Sequence, residues 1–101
     1  MKVFLDTSSL LKLYHREQGS EKLLEFISQN ASQIFLSELA KVEFVSAIWK
    51  NVRMQLLPES VATQIISFFE NDFDNFYWIK VDSKTLELAK ELIKKIWKLR
   101  T

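Results

Sequence analysis

The sequence predicts an α/β protein built on a short parallel sheet. Three short apolar segments, each typical of a buried strand, are separated by pairs of helical segments, which gives the order β-α-α-β-α-α-β-α. Strands that alternate with helices favour parallel pairing with helices packed on the sheet. The 101 residues include only one glycine and one proline, which indicates few sharp turns and long helices joined by short connections.

The first elements are predicted from short apolar patterns and their terminators. Lys2–Leu5 is an apolar run that ends at polar residues, as a buried strand does. Ser8–His15 has apolar residues at helical spacing, and Gly19 ends this segment. Ser20 is a favoured N-cap residue, so a second helix is predicted over Glu21–Gln29.

The central elements are a second strand, Gln33–Leu36, and a long helix capped by Ser37. This helix carries apolar residues on two sides, which predicts that it is buried. The first side consists of Leu39, Val42, Val45, Trp49 and Val52, and the second of Phe44, Ile48 and Leu56.

The last elements are a fourth helix, a third strand and a fifth helix. Pro58 suits the first turn of the fourth helix, and Phe76–Val81 is the third strand. Asp82 or Ser83 is expected to cap the fifth helix. The residues predicted to face inward are Val61, Ile65, Phe68 and Phe69 in the fourth helix, and Leu86, Ala89, Ile93 and Trp97 in the fifth.

The composition excludes several classes of protein. The chain has no cysteine, which rules out disulfides and thiolate metal sites. No apolar run reaches the roughly 18 residues that a membrane span needs. The first apolar run breaks at Asp6, so it lacks the apolar segment of a signal peptide. A cytoplasmic protein without membrane association is therefore expected.

Short polar side chains end all three predicted strands: Asp6, Ser37 and Asp82. In open parallel sheets, ligands bind outside the carboxyl ends of the strands. Each of these residues also begins a helix, so simple capping explains them equally well. Asp6 stands out, because Thr7 and Ser8 follow it and either hydroxyl is also a suitable cap.

Glu43 is the second candidate, because it lies inside the most apolar helix of the chain. Its neighbours one turn away are mostly small, which indicates either an open site above it or a face that simply meets solvent. It falls in the second turn of a helix that starts at a strand end, within reach of Asp6. Two carboxylates at such a position suit a hard cation such as Mg²⁺ or Mn²⁺, which activates water for phosphoryl chemistry.

Two other features of the sequence were weighed: a phosphatase pattern at Asp6 and the lysines near the C-terminus. Phosphatases of the haloacid-dehalogenase type place a second aspartate two residues after the first, and here that position is Ser8. Lysines are frequent after Lys84, which fits either phosphate contacts or an ordinary solvated helix face.

The segments FLDTSSLLKLYHREQGSEKL, FLSELAKVEFVSAI and FYWIKVDSKTLELAKEL together resemble the PIN-domain family, in particular the toxin ribonucleases of VapBC-type toxin–antitoxin pairs. The resemblance runs through the chain in order. It implies a three-layer α/β/α fold and a cluster of acidic residues that holds Mg²⁺ or Mn²⁺ and cleaves RNA. It also implies an antitoxin protein as a partner.

Residue by residue, the resemblance assigns Asp6 and Glu43 to the first two acidic positions, where they would hold the metal. Thr7 and Ser8 match the hydroxyl positions beside the first acid and would help to position water or the metal shell. A third acid would follow Thr101, so residues 1–101 are expected to form a single PIN-like domain that is incomplete at its C-terminus. The alternative function is therefore an impaired or inactive remnant that only folds, oligomerises or binds the antitoxin.

The resemblance also predicts self-association. Strands of the family sheet that have no counterpart here would pair alongside the first strand, which leaves that strand as an exposed edge. The inward side of the fifth helix, including Ile93 and Trp97, would also lose its cover. Unpaired strand edges and uncovered apolar surface favour association. A homodimer or higher oligomer is therefore expected. Asp82 and Glu38 are possible substitute metal ligands.

Overall fold

A computed structural model of the chain describes the backbone of residues 1–100. The side chains of seven residues in the last helix lie outside the description: Ser83, Thr85, Leu86, Ala89, Trp97, Leu99 and Arg100. The described elements follow the predicted order, which confirms the α/β class and is consistent with the α/β/α layering. Their bounds are β1 Lys2–Phe4, α1 Thr7–Tyr14, α2 Ser20–Asn30, β2 Gln33–Ser37, α3 Leu39–Arg53, α4 Glu59–Asn71, a 3₁₀ turn Phe73–Asn75, β3 Tyr77–Ile79 and α5 Ser83–Arg100.

The sheet is parallel, with the strands in the order β1-β2-β3. Phe4 on β1 pairs with Phe35 on β2, which in turn pairs with Tyr77 on β3. Because the strands are parallel and in register, their carboxyl ends open at the same edge of the sheet. β1 lies at one side of the described sheet, as expected for an exposed edge strand.

One hydrophobic core covers a single face of the sheet. Crossover connections between parallel strands are right-handed, and strands added in one direction therefore put their connecting helices on the same face. Phe44 of α3 and Phe69 of α4 are fully buried, with ring centroids 4.2 Å apart. The Tyr14 ring packs edge-on against both, at 5.5 and 5.6 Å, and its hydroxyl donates to Asp72 at 2.7 Å. Each buried aromatic ring contributes about 1.5–3 kcal/mol of stabilisation.

The buried faces of α3 and α4 differ in part from the predicted ones. In α3 the side with Phe44 and Ile48 is buried, as predicted. On the other predicted side, Trp49 and Val52 pack half-buried against the core. Leu39 and Val42 are exposed, so for these two residues the prediction was wrong. In α4 the buried side runs through Ala62, Ile65 and Phe69, while Val61 and Phe68 are exposed. The core takes one arc of each helix, and residues at its flanks reach solvent although the apolar pattern includes them. Leu56 lies beyond the end of α3 and is also exposed.

In α5 the residue Ile93 is exposed, in agreement with the expectation that the apolar side of this helix lacks cover. The predictions for Leu86, Ala89 and Trp97 lie outside the described residues. No helix within the described part of the chain has the length and apolar character that a membrane span requires.

The start of α2 also differs from the prediction. Gly19 occupies the N-cap position with φ 91°, and Ser20 is the first residue of the helix. The buried Ser20 hydroxyl accepts a hydrogen bond from the backbone N–H of Glu17 at 2.9 Å, so it closes the preceding turn instead of capping the helix. Only glycine adopts the left-handed conformation at this joint without strain.

At α3 the N-cap residue is Glu38, not the predicted Ser37, which is the last residue of β2. The Ser37 hydroxyl nevertheless accepts a hydrogen bond from the backbone N–H of Leu39, the first residue of the helix, at 3.2 Å.

Candidate active site

Asp6 is fixed by its place between β1 and α1. It is the N-cap of α1, and its Oδ1 accepts a hydrogen bond from the backbone N–H of Ser9 at 2.8 Å. Strand β1 ends two residues earlier, so the chain turns from strand to helix at this carboxylate. The capping role proposed from the sequence is therefore confirmed, and it fixes the side chain at the carboxyl end of the sheet.

Glu43 reaches the same edge from the second turn of α3. Its Oε1 accepts a hydrogen bond from the Thr7 hydroxyl at 3.2 Å, which joins α3 to the first turn of α1. Ala40 lies one turn earlier on the same side of α3 and is buried, and its small side chain leaves space beside the Glu43 carboxylate. Glu43 itself is exposed to solvent, so an ionised carboxylate at this position carries little desolvation cost.

The predicted residues line one cleft of about 340 Å³ at the ends of β1 and β2. The four predicted site residues Asp6, Thr7, Ser8 and Glu43 all belong to its lining. Both carboxylates and both hydroxyls therefore open to the same space. The remaining lining residues are Phe4, Leu5, Ser37 and Ala40.

The local electrostatics favour an ionised Asp6. The hydrogen bond from the backbone N–H of Ser9 lowers the pKa of the Asp6 carboxyl below its ordinary value, and the Ser9 hydroxyl and the charge of Lys12 act in the same direction. Burial acts in the opposite direction and raises the pKa, but the Asp6 carboxyl is only slightly buried. Asp6 is therefore an anion at neutral pH, with a second carboxylate oxygen beside the one that caps the helix.

Neither of the two suggested substitute ligands lines this cleft. Glu38 is exposed just before α3, where its backbone N–H donates to the carbonyl of Ile79 at 3.0 Å. Asp82 is exposed after β3, at the start of α5. Among the described residues, no group of three or more His, Cys, Asp or Glu side chains is arranged to hold a metal ion. The acidic ligands that the cleft itself offers are Asp6 and Glu43.

Phe4 and Ala40 also line the cleft, although neither was a predicted site residue. Phe4 precedes Asp6 by two residues, and a strand places such residues on the same side. Ala40 lies three residues before Glu43 and so shares its side of the helix. Strand alternation and helix spacing were therefore the signals that could have identified both residues.

The fold and the cleft define a class: an α/β domain with an acidic site at the carboxyl ends of its parallel strands. The chain is 32% identical over 83 residues to Ribonuclease VapC3 from Pyrobaculum aerophilum, a match that takes in 82% of this chain. The aligned part amounts to 60% of the length of that relative. No protein-family model matches the chain. The similarity supports a relationship with VapC-type ribonucleases.

Proposed function

We propose that the chain is a PIN-domain protein of the VapC type and that its cleft is the active site of a metal-dependent endoribonuclease, the toxin of a toxin–antitoxin pair. The observation that carries the proposal is the convergence of Asp6, Thr7 and Glu43 in one cleft, with Thr7 bonded to Glu43. The similarity to a protein named as a ribonuclease supports the reaction class.

The oxygen ligands of the cleft fit a hard divalent cation. Mg²⁺ binds through one or two carboxylates and keeps several of its waters, so two acidic side chains and a nearby hydroxyl meet its chemistry. In this proposal Asp6 and Glu43 hold Mg²⁺ or Mn²⁺. When bound, the ion would lower the pKa of a coordinated water and stabilise the negative charge that develops on phosphate.

The residues of the chain prepare the site in three ways. The hydrogen bond from Ser9 orients the Asp6 carboxylate and favours its ionised form. The Thr7 hydroxyl restrains the rotation of the Glu43 carboxylate by donating to Oε1. Ser8 adds a second hydroxyl to the lining, where it would position water or a phosphate oxygen. This preorganisation reduces the entropy lost when substrate and water are brought together.

The partners follow from the same proposal. The substrate is RNA, the protein partner is an antitoxin, and the location is the cytoplasm. The chain also associates with itself as a homodimer or higher oligomer, for which the open edge of β1 gives one reason. Residues 1–101 act as one PIN-like domain.

A second candidate function rests on the small number of acidic ligands. With two carboxylates in the cleft, cation affinity and the hold on the attacking water are lower than in a site with more acids. The chain would then be an impaired or inactive domain that folds, oligomerises or binds an antitoxin. Cleavage and cation binding, measured separately, distinguish this function from the first.

The test is cleavage of a fluorescently labelled single-stranded RNA with Mg²⁺, with Mn²⁺ and with excess EDTA. The chain should cleave only with the metals. Asp6→Asn and Glu43→Gln should each lose at least about 10-fold in rate, because loss of even a supporting partner of a metal ligand costs about 10–100-fold. Both substitutions keep the size of the side chain and one hydrogen-bond-accepting oxygen, but they remove the charge. Asp74→Asn, an exposed carboxylate outside the cleft, is the matched control and should cleave normally.

Each outcome decides between the candidates. Equal cleavage by all four proteins would place the activity in a contaminant or another site and refute the proposal. If none of the proteins cleaves RNA but Mn²⁺ titration shows binding that Asp6→Asn abolishes, the impaired domain is the better description. If the chain neither cleaves nor binds Mn²⁺, the metal site itself is refuted.

A further inference from the structure

Ser37 lies beside Asp6 at the carboxyl end of the sheet. Phe4 on β1 pairs with Phe35 on β2, and the backbone N–H of Leu5 donates to the carbonyl of Phe35 at 3.0 Å. The backbone of Asp6 is still extended, with φ −81° and ψ 171°. When this register is continued by two residues, Ser37 falls opposite Asp6 on a neighbouring strand about 4.8 Å away.

Ser37 is one of three hydroxyl residues that line the cleft, together with Thr7 and Ser8. The Thr7 hydroxyl is already used, because it donates to Oε1 of Glu43 at 3.2 Å. The eight described residues that line the cleft include no lysine or arginine. An anionic group that enters the cleft therefore depends on hydroxyl groups for its hydrogen bonds to the lining side chains.

The oxygen of the Ser37 side chain is held by the surrounding backbone. Ser37 is the last residue of β2, the middle strand of the described sheet, and pairs with Ile79 on β3. Its Oγ accepts the hydrogen bond from the backbone N–H of Leu39 at 3.2 Å. A hydroxyl that accepts a hydrogen bond keeps its own proton to donate. Ser37 therefore offers a hydrogen-bond donor on a rigid element in the wall of the cleft, the kind of element that positions a functional group most precisely.

We propose that the Ser37 hydroxyl donates a hydrogen bond to a non-bridging oxygen of the scissile phosphate. This contact rests on the nuclease function proposed for the cleft, to which it adds a substrate-binding residue. The non-bridging oxygens carry negative charge in the transition state of phosphoryl transfer, and a fixed donor aimed at such charge stabilises it. Ser37 keeps its proton throughout. A residue that only supports the start of α3 would affect stability but not the reaction.

The first experiment measures kcat and KM for metal-dependent cleavage of a labelled single-stranded RNA by Ser37→Ala and Ser37→Thr. Ser37→Ala should lower kcat/KM by about 10- to 100-fold, the scale of one hydrogen bond to a charged group. Ser37→Thr keeps the hydroxyl and should retain most of the wild-type activity.

Ser20→Ala is the matched control. The Ser20 hydroxyl also accepts a hydrogen bond from a backbone N–H, that of Glu17 at 2.9 Å, and Ser20 does not belong to the lining of the cleft. Both alanine variants lose a hydrogen bond to the backbone, so both should have a lower Tm than the wild-type chain. When all chains are assayed well below the lowest Tm, only Ser37→Ala should lose kcat/KM.

Sulfur substitution in the RNA tests the contact itself. One non-bridging oxygen at the cleavage site is replaced by sulfur, which is a weak hydrogen-bond acceptor, and the two diastereomers are assayed separately. The wild-type chain should cleave one diastereomer more slowly than the unmodified RNA. Ser37→Ala should cleave that diastereomer and the unmodified RNA at nearly the same rate, because the contact is already lost. Two independent perturbations would instead have additive effects on the free energy of activation.

RNA binding gives a measurement that does not require cleavage. Fluorescence anisotropy of the labelled RNA is recorded with Ca²⁺, another cation that takes oxygen ligands. Ser37→Ala should raise the Kd several-fold relative to the wild-type chain, whereas Ser20→Ala should not.

These results separate the contact from the nuclease function. If the wild-type chain cleaves RNA but Ser37→Ala has the same kcat/KM as Ser20→Ala, or shows the full sulfur effect, the contact is refuted and the nuclease function stands. If the wild-type chain binds but does not cleave, and Ser37→Ala weakens binding, the contact is supported and the nuclease function fails. A wild-type chain that does not cleave, with RNA binding that is undetectable or unchanged in Ser37→Ala, would overturn both.

Discussion

The two roles of Asp6, helix cap and metal ligand, can be separated by two substitutions. Asparagine caps a helix about as well as aspartate, so Asp6→Asn keeps the hydrogen bond from Ser9 and loses only the charge at the helix N-terminus, about 0.3–1 kcal/mol. Asp6→Ala also loses the cap, which costs about 1 kcal/mol more. For a domain of this size, that difference lowers Tm by about 4–8 °C relative to Asp6→Asn.

The assay is thermal unfolding followed by circular dichroism, at one fixed protein concentration because association changes Tm. Metal-dependent RNA cleavage is measured on the same samples. The expected pattern is that both variants lose cleavage, while only Asp6→Ala loses substantial stability. Equal Tm values for the two variants would refute the cap, and cleavage by Asp6→Asn at the wild-type rate would refute the role in metal binding.

A comparison of the wild-type chain with Asp6→Asn also gives a prediction for the pH dependence of stability. The pKa of Asp6 is lowered in the folded chain, chiefly by the backbone hydrogen bond from Ser9. A carboxyl with a lowered folded pKa stabilises the fold above its unfolded pKa of about 3.9, and the stabilisation is lost as the pH falls through the folded value. The stability difference between wild type and Asp6→Asn should therefore shrink below about pH 4. A difference that stays constant between pH 7 and pH 3 would contradict this assignment.

The other predictions concern the core and the joint before α2. Tyr14→Phe should lower the free energy of unfolding in urea by about 1.5–3 kcal/mol, because the Asp72 carboxylate loses a partly buried hydrogen bond. The control Tyr77→Phe removes an exposed hydroxyl and should change the free energy of unfolding by less than about 0.5 kcal/mol. Equal effects of the two substitutions would contradict the hydrogen bond between Tyr14 and Asp72. Burial, and then the neighbouring Asp72, raise the pKa of Tyr14 in the folded chain. The contribution of Tyr14 to stability is therefore complete below its unfolded pKa of about 10 and declines above that pH. In urea melts above about pH 10, the difference in free energy of unfolding between wild type and Tyr14→Phe should become smaller. A free-energy difference that does not change with pH would contradict a raised pKa of Tyr14 in the folded chain. Gly19→Ala should cost about 1–2 kcal/mol in the same melts, because φ is 91° although a Cβ would have room; an unchanged midpoint would show that the left-handed cap is not needed.

The order of elements was predictable because the local signals are strong. Apolar runs as short as Gln33–Leu36 stand out between polar stretches, and helical spacing is clear around them. The same reasoning placed Asp6 and Glu43 at one edge of the sheet, since a parallel arrangement leaves few alternatives. The hydrogen bond from Thr7 to Glu43 joins residues 36 positions apart and brings the second carboxylate next to the first turn of α1.

The burial of individual residues was less predictable, because it depends on tertiary packing. Phe68 and Phe69 are adjacent and equally apolar, yet only Phe69 enters the core. The contact between Tyr14 and Asp72 joins residues 58 positions apart, and no local pattern indicates it. Lys41 lies 4.4 Å from the ring centroid of Trp78, another contact that depends on the fold as a whole. Incompleteness at the C-terminus stays a prediction.

The cleft is tested most directly by locating a bound Mn²⁺ ion in solution. Paramagnetic Mn²⁺ broadens the NMR signals of backbone amides near it, so an amide correlation spectrum of the labelled chain reports where the ion binds. Substoichiometric Mn²⁺ should broaden the amides of Thr7, Ser8 and Glu43 first, and Asp6→Asn should remove this effect. Broadening that starts instead at surface acids such as Glu59 or Asp74, or that is unchanged in Asp6→Asn, would contradict a metal site formed by Asp6 and Glu43.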